Sequence, residues 1–342
     1  MKSSLERVLL GTAVGDSLGL PAEGLSATRI ARRWEGPWRQ RLVFGHGMIS
    51  DDTEHTVFVA QCLAKSGGDP ADFQRRLAWR LRFWLLCLPA GIGFATLRAI
   101  VKLWLGFPPS RSGVFSAGNG PAMRSAVIGV FFENDPDRLA AYVHASTRLT
   151  HTDPKAEIAA LAVARTAAFA SAGEHPGTVE ELWRSIGPSD EQWQSLITAI
   201  LSSRDQDHSV AEFAQSIGLH KGVSGYAYHS VPVALYAWLR HSGDFRTGLE
   251  AVINCGGDTD TVGAIAGSLL ALNSPIPKEW QESIADYPVS TTYLTELARA
   301  LEASRKGGGI PTPSFNWLAL PFRNLLFLIV VLFHGFRRLI PI

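Results

Sequence analysis

Two short stretches carry most of the residues able to do chemistry. One is Ser50-Asp51-Asp52-Thr53-Glu54, a hydroxyl and paired carboxylates at the head of an apolar helical run. The other is Gly256-Gly257-Asp258-Thr259-Asp260-Thr261, where two aspartates follow a double glycine and precede a small, apolar run from Ala264 to Leu272. Glycine lets the backbone turn tightly and approach a ligand closely. Carboxylate and hydroxyl oxygens are hard ligands, suited to Mg²⁺, Mn²⁺ or Ca²⁺ rather than zinc. Either stretch alone could be a helix cap, and Asp51 with Glu54 has capping-box spacing. A cap needs one acidic acceptor, yet each stretch offers two carboxylates flanked by hydroxyls. Burying so many like charges without a cation is costly. The two stretches are therefore expected to meet at a shared metal centre.

The intervening chain must position them. Residues 4–19 read as a helix in which Gly11, Gly15 and Gly19 share one face and permit close helix contact. Asp16, inside that small and apolar stretch, must be exposed or specifically paired. Pro21-Ala22-Glu23-Gly24 breaks the helix; on spacing alone Glu23 is a solvated loop residue. Apolar residues at helical spacing predict further helices over 53–65, 70–88, 91–105, 122–131, 155–171, 191–203, 210–217, 231–239 and 244–252, and one or two over 278–303. Ser116-Ala117-Gly118-Asn119-Gly120 precedes one of them, and exposed amides at a helix start suit a phosphate; Arg124 could support an anion or pair with an acid. His151 sits just outside a helix start, where a structural role is the default. Tyr226 and Tyr228, in a glycine-rich loop, could stack on a base or ribose or cover the core edge. No alternating strand pattern stands out, so the class is all-α, one domain over 1–304.

Composition narrows the function classes. Among 342 residues, 32 Lys and Arg balance 31 Asp and Glu, leaving no global field for nucleic acid. Charged residues are 18 % against 46 % hydrophobic, which predicts a large core. Cys62, Cys87 and Cys255 are odd in number and widely spaced, giving neither a disulfide framework nor a zinc site. No signal-peptide pattern opens the chain, so a cytoplasmic location is the default. A Gly- and Pro-containing linker at 305–316 leads to a hydrophobic tail at 317–342. The unbroken apolar run of that tail, Leu325 to Phe333, is too short to span a bilayer and is flanked by Arg323, Asn324, His334, Arg337 and Arg338. It could lie on a membrane face, dock on its own core, or meet a partner subunit.

Taken in order, Gly11 to Gly19, Ser50 to Glu54, Gly118 to Arg124, Thr150-His151 and Gly256 to Thr261 resemble the ADP-ribosylglycohydrolase family, which includes the dinitrogenase reductase-activating glycohydrolase. The resemblance covers residues 5–272 and leaves the tail outside. It implies an all-α fold with two ions, Mg²⁺ or Mn²⁺, at the bottom of a cleft, held by Ser50, Asp51, Asp52, Asp258, Asp260 and Thr261. It implies hydrolysis at C1″ of the distal ribose of an ADP-ribosylated protein or small molecule, with arginine-linked protein as the leading substrate. Glu23, Asp52 and Asp258 would then be catalytic. Ser116, Gly118, Asn119, Gly120, His151 and Tyr226 would bind substrate. Pro121 and His55 depart from the usual residue types at their positions without removing a ligand. The alternatives are a non-catalytic ADP-ribose binder and a different metal-dependent phosphodiester hydrolase.

Overall fold

The computed structural model describes residues 2–34 and 36–339, with backbone alone for 337–339. The predicted all-α class holds. The strands among the described residues are two residues each, and helices supply the rest of the regular structure. Nine helices suffice to place the site: α1 Ser4–Gly19, α2 Asp51–Leu63, α3 Pro70–Leu86, α4 Gly120–Met123, α5 Pro154–Ser171, α6 Ala227–His241, α7 Thr259–Asn273, α8 Thr291–Arg305 and α9 Leu320–Leu339.

At the centre, α1 lies against α7. Both are buried nearly all round, so neither shows an amphipathic stripe. The shared glycine face of α1 has the predicted use. A Cβ at Gly15 would stand 1.9 Å from the carbonyl oxygen of Gly263, and one at Gly11 would stand 2.3 Å from that of Gly267. The backbones touch, and any side chain there would force them apart. Because α1 ends at Gly19 and α7 begins at Thr259, close packing brings the segment after α1 to the segment before α7. Thr259 Oγ1 donates to the carbonyl of Gly19 across this junction.

The short strands finish the same task. Leu25–Ser26 pairs antiparallel with Gly256–Gly257, and the Gly24 amide donates to the Gly257 carbonyl at 2.7 Å. Gly257 has a left-handed φ of +89°, and a Cβ there would lie 1.9 Å from the Val223 carbonyl oxygen. Only glycine fits between those two strands of chain. Glu23 is thereby delivered to the same cavity that Asp258 and Asp260 line.

Some predicted boundaries move. The run at 122–131 divides into α4 and a second helix, Ala126–Phe131, because Arg124 and Ser125 leave the helical path. Of the one or two helices expected over 278–303, two form, Lys278–Glu282 and α8. All three cysteines are free and buried.

The tail forms α9 and docks on the body of its own chain. Leu320, Arg323, Asn324 and Phe327 recur at helical spacing and are buried. Phe327 packs with Leu20, Leu42 and Met48, and His334 Nε2 lies 2.7 Å from the Leu42 carbonyl oxygen. The segment before it is also held: Trp317 stacks on Phe58 of α2 at 5.6 Å. No helix among the described residues is long and apolar enough to cross a membrane. The side chains of Arg337 and Arg338, the basic flank read from the sequence, lie outside the described residues.

Candidate active site

The two acidic stretches meet, as expected from the cost of burying their charges separately. Ser50 caps α2, with its Oγ accepting from the Asp52 amide. Capping does not use up the carboxylates. Asp258 occupies the N-cap position of α7, yet its side chain makes no capping bond; its Oδ2 accepts from Asn119 Nδ2 at 2.6 Å. Asp52 Oδ2 accepts from Ser50 Oγ at 3.0 Å and from Thr261 Oγ1 at 3.3 Å, so one bond crosses from α2 to α7. Asp52 Oδ1 and Asp260 Oδ1 are buried with no hydrogen-bond partner.

Asp16 joins this group, and sequence reading left its partner open. It is fully buried and accepts from the Ser50 amide at 2.8 Å and from the amide and hydroxyl of Thr53. It thus ties the open end of α2 to α1. An acid in an otherwise small, apolar helix was the only signal in the sequence.

Burial raises each aspartate of the cluster. Burial pushes Asp16 up to about 6 despite its three donors. Burial and then the charges of Asp16 and Asp51 hold Asp52 well above the usual carboxylate range. Burial, with Glu23 and Asp258 beside it, does the same for Asp260. Asp51 rises through burial and the nearby Asp16. None of these aspartates forms a salt bridge among the described residues; the buried Arg323 pairs with Glu54 and Asp286 instead.

A cavity of about 660 Å³ opens over the cluster. Of the predicted residues, Glu23, Asp51, Ser116, Gly118, Asn119, Gly120, His151, Asp258, Asp260 and Thr261 line it. Ser50 and Asp52 are buried outside the lining set, at the head of α2. The Tyr226 ring is outside that set too: its hydroxyl donates to Gln192 and its ring packs on Tyr228 and His229. Tyr226 reaches the site only by backbone, through its bridge to Gly118. Phe94, Arg98 and Phe115, which the sequence did not single out, line the cavity as well.

Two details refine the expected phosphate cradle. The Gly118 amide donates to Ser116 Oγ, and the Asn119 amide to the Gly225 carbonyl. The loop therefore offers close approach more than free amides. His151 compensates. A Cβ at Gly118 would lie 3.0 Å from His151 Nε2, so glycine exposes that nitrogen. His151 Nδ1 lies 2.9 Å from Thr150 Oγ1, which in turn accepts from Arg124 Nη2 at 2.8 Å. The Thr150 proton is then available to Nδ1, which leaves Nε2 as an N–H donor. Burial, reinforced by Arg124, holds the His151 imidazole neutral, down at about 3. Arg124 is buried and works behind the cavity instead of binding an anion in it.

The residues present suit a divalent cation. Buried, unpartnered oxygens on Asp52 and Asp260 are what a cation would satisfy. The side chains are not closed into a ready cage: among the described residues no group of three or more His, Cys, Asp or Glu meets metal-site geometry.

A cleft thus lies over two acidic helix starts, walled by a glycine loop and a histidine, on an all-α body. The ADP-ribosylglycohydrolase family model matches residues 2–309, and the chain belongs to that family. An uncharacterised protein of Archaeoglobus fulgidus is 32 % identical over 88 % of this chain and 96 % of its own. The ADP-ribosyl-[dinitrogen reductase] glycohydrolase of Rhodospirillum rubrum is 28 % identical, covering 79 % of this chain and 86 % of its own. Human ADP-ribosylhydrolase ARH3 is 28 % identical over 75 % and 79 %. A solved structure described as an ADP-ribosylglycohydrolase-related protein complex superposes with a TM-score of 0.63 at 28 % identity, covering 89 % of this chain and all of that one. Hydrolytic removal of ADP-ribose follows from the family.

Proposed function

We propose that the chain is a divalent-cation-dependent hydrolase that releases ADP-ribose from arginine-linked protein by cleavage at C1″ of the distal ribose. The observation that carries this reading is the pair of orphaned, buried oxygens on Asp52 and Asp260 at the base of a cleft that also presents Glu23 and His151. Ser50, Asp51, Asp52, Asp258, Asp260 and Thr261 would hold two ions, Mg²⁺ or Mn²⁺. When bound, the ions supply charge neutralisation and fixed points for the ribose hydroxyls.

The chain's own residues account for the rest. His151 Nε2–H faces the space at Gly118 and donates to a diphosphate or ribose oxygen. Asn119 holds Asp258 in place through their 2.6 Å bond. The carboxylates of Asp52 and Asp258 offset positive charge developing on the sugar ring. Glu23, at the cavity wall, takes a proton from the attacking water. The C1″–O bond to water forms as the C1″–N bond to the guanidine breaks, and the proton passes to the leaving nitrogen.

Release of free ADP-ribose from arginine-linked and serine-linked peptides, assayed in parallel with Mg²⁺, Mn²⁺ or EDTA, tests the proposal. Metal-dependent release from the arginine peptide supports it. Release from the serine peptide alone overturns the acceptor. Tight ADP-ribose binding without release from either would make the chain a binder.

A further inference from the structure

We propose that Arg323, in the helix beyond the family region, is a positioning residue for the acidic cleft and that α9 is a working part of the site. The proposal rests on the cleft reading above. The matched family region ends at residue 309. Arg323 lies 14 residues later, yet it reaches the segment that carries Ser50.

The geometry is specific. Arg323 donates from Nε to Asp286 Oδ1 at 3.0 Å and from Nη2 to Asp286 Oδ2 at 2.6 Å. Nη2 also donates to the carbonyl of Ile49. Asp286 Oδ2 accepts from the Ile49 amide at 3.0 Å. Ile49 is therefore gripped at both its N–H and its C=O. The Ile49 carbonyl and the Ser50 amide belong to one planar peptide unit. That unit has the Arg323 guanidinium on its oxygen and the Asp16 carboxylate on its nitrogen. Turning it breaks charge-assisted bonds on both sides, the strong kind. Ser50, Asp51 and Asp52 follow directly, so their directions are set by this unit. Arg323 Nη1 also lies 3.6 Å from Glu54 Oε1, placing a cation behind the first turn of α2.

The arginine is itself held rigidly. It is buried, stacked over the Phe327 ring at 4.5 Å, and flanked by Asn324, whose Nδ2 donates to the Cys87 carbonyl at 2.8 Å. Outer partners of ligand residues typically change metal affinity 10- to 100-fold when lost. Asn324 serves as the contrast: its Oδ1 accepts from Arg323 Nη1 at 3.2 Å and it fastens the same helix, but it touches neither Ile49 nor the Nη2 and Nε bonds that grip Ile49 and Asp286.

The test uses the full chain and four proteins: the parent, Arg323→Met, Arg323→Met with Glu54→Gln, and Asn324→Ala. The double variant removes Glu54, one of the two buried carboxylates, Glu54 and Asp286, that Arg323→Met would strand. Two readouts are taken, amide hydrogen exchange without metal and Mn²⁺ titration. We expect both Arg323 variants to exchange at least about tenfold faster over residues 49–53 and to bind Mn²⁺ about tenfold more weakly or worse. Asn324→Ala should quicken exchange only in α9 and around Cys87, with parental Mn²⁺ affinity. Parental exchange over 49–53 in a folded double variant would overturn the proposal. So would equal loss of protection over 49–53 in Asn324→Ala. A parent that binds no Mn²⁺ would overturn the metal-centre reading alone, since exchange over 49–53 still decides the role of Arg323.

Discussion

Replacing Asp52 by asparagine separates what the acidic cluster does for stability from what it does for chemistry. Asparagine keeps the size and the contacts to Ser50 Oγ and Thr261 Oγ1 but removes one buried charge. A carboxyl whose proton affinity is raised by folding stabilises the fold below its unfolded value, near 4, and loses that contribution as pH rises through its folded value. Asp16 gives the scale: a rise from 3.8 to about 6 corresponds to about 3 kcal/mol, at about 1.4 kcal/mol per tenfold change in proton affinity. Asp52 is pushed the same way, by burial and by Asp16, Asp51 and Asp258 around it. A loss of ~3 kcal/mol is about 5 °C in Tm for a domain of this size. In EDTA, the parent Tm should therefore fall between pH 4 and pH 7. Asp52→Asn should melt above the parent at pH 8 and close to it at pH 4. Added Mn²⁺ should stabilise the parent and leave the variant unchanged, while ADP-ribose release falls by about 100-fold, equivalent to ~2.7 kcal/mol of barrier. Thermal melts with a fluorescent reporter, across pH and with or without Mn²⁺, read all of this. An Asp52→Asn protein that is less stable than the parent in EDTA at pH 8, or that keeps full turnover, would refute the reasoning.

Three further perturbations follow from the packing and the site. Gly15→Ala would push a Cβ into the Gly263 carbonyl, and it should cost more than about 4 kcal/mol, read as loss of soluble protein or a collapse in Tm. Thr150→Val removes the link between Arg124 and His151 Nδ1; KM for the ADP-ribosylated substrate should rise about tenfold, the equivalent of a lost hydrogen bond to a polar ligand group, with kcat little changed. Trp84→Phe deletes the indole donor that Glu54 Oε2 receives at 2.6 Å and should cost about 1–3 kcal/mol. Burial raises Glu54 to about 7, so that penalty should be larger at pH 8, where the carboxylate is charged, than at pH 5, and melts at the two pH values check it.

Much of the site was legible because its chemistry is local in sequence. Ser50 to Asp52 and Asp258 to Thr261 each pack ligand-type oxygens into a few residues, and the glycines at 118 and 120 mark a loop that something must approach. The α1 glycines were legible as a contact face because a four-residue repeat falls on one side of a helix. Other parts were not readable. Nothing near Glu54 says that its carboxylate points back to Trp84 and Arg323 instead of into the cleft. Arg124 sits in the glycine loop's sequence, yet it turns inward to Ser146 and Thr150. Tyr226 looks like a stacking residue and stands hydrogen-bonded to Gln192. Arg323 and Asn324 read as flaws in an apolar run, whereas they are the polar pair that fastens it.

The sequence by itself determined the helical class, the family, and which short segments bring oxygen ligands, since periodicity and clustered residue types are carried by neighbours along the chain. Only the tertiary structure decided that Asp16 belongs with Asp52, that His151 presents Nε2 to the cavity, and that a helix after residue 309 braces the Ser50 peptide. Those outcomes depend on which side chain meets which group across tens to hundreds of residues. Burial then gives each meeting its weight, because a charge or amide removed from water must find its partner there.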